Sequence, residues 1–254
     1  MTESLQLSPQ SLILSFSLVL IPMFVIQKEN LGLTKELVVA VLRMIIQLAV
    51  VSFVLGWVFD LNSNVITLVL MIFMGFNAAW NASKRAGNIP NSLKISIAAV
   101  FISCFVSLLV MLLVGGLNFI PQQMIPITGM LVGNSMNVTG LSFRNLNTTF
   151  KDQRQQISEK LALGATTKQA STSVVREAIA ASLQPSIDST KMIGLVTLPG
   201  MMTGMLFAGA DPTLAITYQI MIMLMFISTA SLTAIIATYM AYPSFYTQRG
   251  QLKV

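Results

Sequence analysis

The side chains of this sequence that could do chemistry in an apolar setting are amides, thioethers and a guanidinium. Asn77 and Asn81 are one helical turn apart, and Asn134 and Asn137 are three positions apart. Amides at such spacings share a helix face, where they bond to a neighbouring helix or line a polar path. The sequence has no histidine, which excludes imidazole proton relays, Ser–His nucleophile pairs and histidine zinc sites. These residue types favour binding and passage over covalent catalysis.

Methionine is the other abundant side chain with a chemical function. There are 17 methionines, and Met130, Met201 and Met205 lie in the same stretches as glycines and prolines. Thioethers bind soft metal ions, but they also fill gaps in an apolar core, and both interpretations remain open. The single cysteine, Cys104, forms neither a disulfide nor a CxxC metal clip. The sequence therefore leaves any metal ligand set unknown.

The elements that position these residues are membrane helices. The chain has 254 residues, of which 54% are hydrophobic and 9% charged, and its mean hydropathy of +0.76 excludes the soluble globular class. A helix needs about 20 apolar residues to cross the bilayer core. Seven stretches qualify: Ser8–Gln27, Leu37–Phe59, Asn64–Trp80, Ile95–Val114, Phe119–Phe143, Met192–Ala210 and Thr213–Tyr242. We expect an all-α, polytopic membrane protein in which residues 1–254 form a single transmembrane domain.

The basic residues predict the orientation of these spans. Lysine and arginine occur after the first, third, fifth and seventh spans, and the other exposed segments have neither. Positively charged loops stay cytoplasmic, which predicts an external N-terminus and a cytoplasmic C-terminus. The net charge of +6 is then explained by the lysines and arginines of the cytoplasmic loops, which lie against membrane lipid. No nucleic-acid partner is needed to explain it.

The fifth span is rich in glycine, proline and amides, and the sixth span is also rich in glycine and has one proline. Gly129 and Gly133, like Gly200 and Gly204, have the GxxxG spacing that lets helices approach closely, and Pro199 interrupts the sixth span. Broken spans of this kind commonly mark transport sites. The predicted substrate path is lined by Asn77, Asn81, Asn134, Asn137, Met130, Met201 and Met205.

Arg43 and Gln47 are the polar residues of the second span. They are one turn apart and about two turns from Lys35, so they share a face near the cytoplasmic end. The Arg43 side chain can extend to the interface. Alternatively, the two residues form a gate or an interhelical pair.

Residues 144–191 form the long polar segment, which we predict to be cytoplasmic. A helix is expected to end at Gly164, and a new one to begin at Thr166, which forms a capping box with Gln169. The second helix is expected to break at Pro185. Such a projecting turn either rests on anionic lipid or docks a cytoplasmic partner.

Four strings in this sequence carry a resemblance to a known family. They are Phe76–Asn81 (FNAAWN), Met124–Met130 (MIPITGM), Glu159–Ala165 (EKLALGA) and Gly194–Met202 (GLVTLPGMM). Together they resemble the FetB-type iron export permease family of ABC transporters, over about residues 28–246. The Glu159–Thr166 string alone also resembles the coupling segment of ABC permeases in general.

The resemblance implies a homodimeric permease that pairs with a separate cytoplasmic ABC ATPase in the bacterial cytoplasmic membrane. Glu159, Lys160, Gly164, Ala165 and Thr166 would couple the permease to the ATPase. The sequence has no GxxxxGK[ST] string, so this chain is not expected to bind or hydrolyse ATP. No cofactor is expected on it, and ATP and Mg²⁺ would be bound by the partner.

Other functions compete with iron or metal export. The same family resemblance includes a nucleotide-sugar or organic-solute permease. An ion-driven secondary transporter would need carboxylates inside the membrane, whereas Asp60, Asp188 and Asp211 fall at predicted span ends. An intramembrane enzyme would lack a suitable base. A membrane scaffold or receptor subunit is the fourth alternative.

Overall fold

The computed structural model describes residues 14–247 and 249–253, and these are almost entirely helical. Within those ranges the only β-structure consists of two isolated bridges, Ile193–Thr197 and Tyr246–Leu252. The helices are α1 (Leu20–Lys28), α2 (Thr34–Leu61), α3 (Asn64–Ser83), α4 (Ser92–Leu113), α5 (Pro121–Asp152), α6 (Arg154–Ala162), α7 (Thr167–Met192), α8 (Gly200–Phe207) and α9 (Pro212–Ala241). Short 3₁₀ helices cover Phe16–Val19 and Tyr242–Phe245. The all-α class is confirmed.

Four helices are long and apolar enough to cross a membrane by length and composition: Thr34–Leu61, Asn64–Ser83, Ser92–Leu113 and Pro212–Phe245. The apolar helix Phe16–Lys28 is shorter, and the rest of the first predicted span, residues 8–13, lies outside the described residues. The fifth predicted span lies in α5, a 32-residue helix that continues past Phe143 to Asp152. The chain is therefore a multi-pass membrane protein.

The sixth predicted span, Met192–Ala210, is not one helix. Gly194 has a φ of +86° and opens a turn that continues to Pro199, after which α8 covers only Gly200–Phe207. Eight residues span about 12 Å, less than half of the hydrocarbon thickness of about 30 Å. A proline without an N–H begins a helix more easily than it continues one, so the break is complete rather than a kink.

The chain divides into two compact units, residues 1–62 and 63–254. In the first, the described helices are α1 and α2. In the second, α5 and α9 are central, because α5 packs against α3, α4, α7 and α9, and α9 packs against α4, α5, α7 and α8.

Polar seams join the central helices of the second unit. Thr233 Oγ1 of α9 lies 2.7 Å from Ser103 Oγ of α4 and 3.2 Å from Ser135 Oγ of α5. Thr229 Oγ1 lies 2.8 Å from Ser107 Oγ. All of these side chains are buried, where small hydroxyl residues allow close helix packing and bond across the interface.

Candidate functional site

The turn between α6 and α7 is built by local sequence. The N–H of Ala165 donates to Lys160 O, and that of Gly164 donates to Leu161 O, both at 3.0 Å. This is a Schellman motif, and its left-handed position is held by Gly164 at φ +90°. Thr166 then caps α7 in a capping box with Gln169. The helix stop and the capping box expected from the sequence are both confirmed.

The five predicted coupling residues lie together at this turn. Glu159, Gly164 and Thr166 are exposed, and Lys160 and Ala165 are half-buried. Glu159 Oε1 accepts a bond from Gln155 Nε2 at 3.0 Å, and Lys160 Nζ donates to Ser173 Oγ of α7 at 3.2 Å. Contact with an ATPase stays a prediction.

Leu163 is a feature of the turn that the sequence prediction missed. Its side chain is 89% exposed at the tip of the turn. Exposure of a leucine side chain to water is unfavourable, because its burial would lower the free energy. The signal in the sequence was an apolar residue directly before the helix-ending glycine.

The base of the turn is fixed to the helices around it. Ile157 of α6 is fully buried in a cluster with Phe150 of α5 and Val174 of α7, and Gln153 Nε2 donates to Glu177 Oε2 at 2.6 Å. Near the start of α7, Ser171 Oγ and Tyr246 Oη share a hydrogen bond. Burial raises the pKa of the Tyr246 hydroxyl above its ordinary value.

Helix α7 continues through Pro185 to Met192, so the expected break at Pro185 is wrong. Its buried stripe repeats every four residues and consists of Ala170, Val174, Ala178, Ser182 and Ser186. Pro185 itself is exposed. The proline removes one N–H on the side away from the packing face, and the contacts of the stripe hold the helix together.

Helix α7 lies antiparallel to both α5 and α9. Near its beginning, Val174 shares a cluster with Leu146 of α5 and Ala237 of α9. Further along, Ile179 and Leu183 pack against earlier residues of both helices, the cluster of Val138, Ala230 and Ala234. Because Val138 is near the middle of α5 and Ala230 near the middle of α9, the second half of α7 lies beside the middle of these two helices.

The exposed face of this half of α7 carries a row of polar side chains, with Ile187 and Met192 also exposed. Gln184, Asp188 and Lys191 recur at i, i+4 and i+7, which places them on one face. Gln184 Nε2 lies 2.9 and 3.0 Å from the two carboxylate oxygens of Asp188, and Lys191 Nζ is 3.4 Å from the same carboxylate. This linked amide, carboxylate and ammonium row was not identified from the sequence, because a break at Pro185 was expected.

The predicted path residues lie on three helices, α3, α5 and α8. Asn134 is buried and donates from Nδ2 to Phe226 O of α9 at 3.2 Å. Asn137 is exposed, and its Oδ1 accepts from Arg85 Nη1 at 3.2 Å. Asn81 Nδ2 donates to Asn77 Oδ1 at 2.7 Å along α3. Each amide therefore has a hydrogen-bond partner within the chain, and a role in substrate transport stays a prediction.

The three methionines of the predicted path lie on two helices, Met130 on α5 and both Met201 and Met205 on α8. Met130 of α5 and Met201 of α8 pack against one apolar cluster that includes Met124 and Leu131, the gap-filling use of methionine. Met205 is half-buried on α8. Within the described residues, no group of three or more His, Cys, Asp or Glu side chains could hold a metal ion.

Arg43 and Gln47 lie on α2, and both side chains are exposed. They belong to the first unit, residues 1–62. Both the interfacial extension of Arg43 and a gate or interhelical pair stay predictions.

Comparison with known proteins connects these features to a family. Residues 9–246 match UPF0014, which is described as an uncharacterised protein family. The chain belongs to UPF0014. The match spans both units and includes the α6–α7 turn and the row on α7, so it concerns the whole membrane domain.

Relatives extend from bacteria to plants. The chain is 46% identical to the "Probable iron export permease protein FetB" of Escherichia coli K12, covering 99% of this chain and 97% of the relative. It is 37% identical to "Protein ALUMINUM SENSITIVE 3" of Arabidopsis thaliana, covering 92% and 86%. It is 35% identical to "UPF0014 membrane protein YjkA" of Bacillus subtilis, covering 96% and 97%. No solved structure matches the chain significantly. The resemblance to the FetB-type family is thereby confirmed.

Proposed function

We propose that this chain is the membrane-spanning permease subunit of an ABC transporter that exports iron or another metal species. ATP, with Mg²⁺, is hydrolysed in a separate cytoplasmic subunit, and two copies of this chain form the pathway in the bacterial cytoplasmic membrane. The observation that carries the proposal is the rigid exposed turn at Gly164, continued directly by α7, which is packed between α5 and α9. The name of the Escherichia coli relative supports the export of iron.

The mechanism follows from the stiffness of the turn and the length of α7. The Schellman motif and the capping box leave no flexible link between α6 and α7, and α7 has 26 residues, or about 39 Å of rise. A displacement of the turn by the ATPase therefore moves the whole of α7. Its buried stripe contains alanine and serine, small side chains over which α7 can shift against α5 and α9 once bonds such as that from Asn145 Nδ2 to Ser182 Oγ are exchanged. The two positions of α7 correspond to inward- and outward-facing states.

The antiparallel packing of α7 also supports a seven-crossing topology with α7 as the sixth crossing. The crossings are the helix that ends at Lys28, then α2, α3, α4, α5, α7 and α9. The turn at Gly164 is then cytoplasmic, and the external N-terminus and cytoplasmic C-terminus are retained. The segment 193–211 begins on the external side of α7, and its helix α8 packs back against the cluster of Met124 and Leu131 through Met201. In this arrangement the cytoplasmic part of residues 144–191 is reduced to the region around α6 and the start of α7.

The polar row of α7 is the proposed lining of the pathway. A charged side chain at bilayer depth costs several kcal/mol if it faces lipid, so Gln184, Asp188 and Lys191 are expected to face water or a second copy of the chain. A dimer in which the two rows face each other encloses such a space. Apolar faces elsewhere suit lipid, and none of the most apolar window of α2 is buried within the described chain.

The cargo is proposed to cross weakly held or as a complex. A stable cage for iron requires several Cys, His or carboxylate ligands, and the described residues contain no such cluster. Asp188 and the amide of Gln184 are oxygen ligands suited to brief contact with a hydrated cation or a chelate.

Two observations favour the alternatives. Asp188 is a carboxylate beside Lys191, and such pairs serve in proton coupling, which would suit an ion-driven secondary transporter. A cavity of about 480 Å³ between α7, α8 and α9 is lined mostly by apolar side chains, and buried Gln219 in its wall has an amide with no partner within the described chain. Such a cavity would suit an organic solute.

Transport by purified protein distinguishes these functions. The chain is reconstituted in inside-out vesicles with its ATPase, and uptake of iron is compared with ATP, without ATP, and with an imposed proton gradient alone. The proposal expects uptake only with ATP and its loss in Asp188→Leu. Uptake driven by the proton gradient would favour the secondary transporter. ATP-driven uptake of an organic solute but not of iron would favour the organic-solute permease.

A further inference from the structure

A basic cavity lies where the loop after α3 meets the second half of α5. Its volume is about 310 Å³, and the side chains that line it carry guanidinium, amide and hydroxyl groups but no carboxylate. The lining residues are Arg85, Gly87, Gly140, Leu141, Arg144, Asn147 and Thr148. The proposed transport mechanism uses none of these groups.

Arg85 is held in this cavity by two features of α5. Its stem crosses α5 at Gly140, where a Cβ would lie only 2.8 Å from Arg85 Cδ. Its Nη1 donates to Asn137 Oδ1 at 3.2 Å. One N–H of the guanidinium is therefore bonded to α5, and the other N–H groups remain for a ligand.

Arg144 supplies a second guanidinium on the same side of α5. Asn137, Leu141, Arg144 and Thr148 recur at i, i+4, i+7 and i+11, so they form one face. Asn147 Nδ2 donates to Ala86 O at 3.0 Å, which ties the loop after α3 to this helix. Two arginines thus converge on a cavity with fixed walls.

The charge of the cavity is not compensated by protein. Among the described residues, the only ion pair joins Lys191 to Asp188, on α7. A second cavity of about 370 Å³ shares Asn147 and adds the cations Lys151 and Lys253, again without an acidic lining residue. Uncompensated guanidinium groups arranged around one space are the usual means of binding a phosphate or carboxylate.

Trp80 and Lys84 indicate the depth of the cavity in the membrane. Trp80 precedes Arg85 by five residues and is 47% exposed, and Lys84 Nζ lies 5.7 Å from the centre of its ring. Tryptophan and lysine together at a helix end are typical of the membrane interface. Arg85 therefore lies at the level of lipid headgroups.

We propose that the cavity lined by Arg85 and Arg144 binds a phosphate group at the membrane interface. The phosphate is supplied by the headgroup of an anionic phospholipid or by a soluble phosphate compound at the same level. Either ligand would bond to both guanidinium groups and bridge the loop after α3 to α5. This inference does not depend on the transport function.

The test uses Trp80 as a reporter. The chain has two tryptophans, so Trp57→Phe leaves Trp80 alone, and the protein is placed in phosphatidylcholine nanodiscs containing brominated phosphatidylglycerol. We expect stronger quenching than by brominated phosphatidylcholine. We expect Arg85→Gln with Arg144→Gln to weaken the preference for the anionic lipid at least about tenfold, since each bond to a charged group has a large effect.

Controls separate the site from general charge and from misfolding. Arg176→Gln removes an exposed arginine of α7 outside both cavities and should leave quenching unchanged. Arg85→Lys with Arg144→Lys keeps the charge and should retain an intermediate preference, which keeps the test valid if the glutamine variant does not fold.

A second measurement assigns the source. Inorganic phosphate is titrated calorimetrically into protein in phosphatidylcholine nanodiscs. Binding of phosphate that depends on the two arginines, without any preference for anionic lipid, would assign the site to a soluble compound. The proposal is overturned if neither lipid preference nor phosphate binding changes in the arginine variants.

Discussion

Gly164 is the residue on which the geometry of the exposed turn depends most. Its φ of +90° costs a residue with a side chain about 1–2 kcal/mol. We expect Gly164→Ala to distort the turn and to reduce stimulation of the ATPase several-fold while the permease stays folded. The measurement is ATP turnover of the assembled transporter in lipid.

Gly200→Ala is the matched control for that experiment. Gly200 is helical, and no atom lies within 4 Å of a Cβ placed on it. Its substitution should leave ATP turnover unchanged. Equal turnover in wild type and Gly164→Ala would show that the turn does not transmit force.

Gly75 allows close packing of α3 on α4. A Cβ at Gly75 would lie 2.8 Å from Phe101 Cζ, whereas a Cβ at Gly133 would meet no atom within 4 Å. Overpacking costs about 1–3 kcal/mol, so Gly75→Ala should lower the midpoint of thermal unfolding in detergent. Gly133→Ala should leave it unchanged or raise it, because alanine favours helix. A lower midpoint in Gly133→Ala alone would contradict this packing.

At the residue scale, the sequence predicted local geometry well and distant partners poorly. Gly164 and the pair Thr166 and Gln169 were predicted correctly because their bonds are made within a few residues. The amides of Asn134 and Asn137 were assigned to a path, yet their partners are Phe226 O and Arg85. Spacing along one helix does not reveal which other helix lies opposite.

Helix α7 is the element that differs most from expectation. Pro185 predicted its end, but the stripe that includes Ala178, Ser182 and Ser186 packs against α5 and α9. Tertiary contacts outweigh the loss of one backbone bond, and no local signal reports them. The same packing explains why Met192–Ala210 need not be a span, since α7 already runs beside the middle of α5 and α9.

The two faces of α7 can be distinguished by labelling. In a background with Cys104 replaced, Gln184→Cys and Asp188→Cys should react with a water-soluble thiol reagent, because the polar row is proposed to line a wet pathway. Ser182→Cys and Ser186→Cys should react slowly, since both serines are buried. Labelling restricted to lipid-soluble reagents at Gln184 and Asp188 would contradict the pathway.

At the scale of the whole molecule, composition sufficed for the membrane class, and the resemblance of four sequence strings indicated the family. The contacts between helices decided which segments are candidates for crossing. Hydropathy did not identify α7 as a span, because the exposed side of its second half carries Gln184, Asp188 and Lys191. A span that lines water does not need to be apolar all around.

Cysteine labelling distinguishes the two candidates for the sixth crossing, which are α7 and the segment Met192–Ala210. Single cysteines are placed at Asn62, Lys151 and Leu195 in a background with Cys104 replaced, and Leu195 is 91% exposed. If α7 crosses, a membrane-impermeant reagent added outside should label positions 62 and 195 but not 151. Labelling of position 195 together with 151 from the cytoplasmic side would remove α7 as a crossing.

The central claim is that this chain provides a pathway whose motion is driven through the turn at Gly164 by a separate ATPase. The most direct measurement is uphill iron transport in sealed vesicles that contain this chain with or without the ATPase. Our account predicts ATP-dependent transport only when both subunits are present, and its loss in Gly164→Pro. Uphill transport by this chain alone, in vesicles without any ATPase, would contradict it.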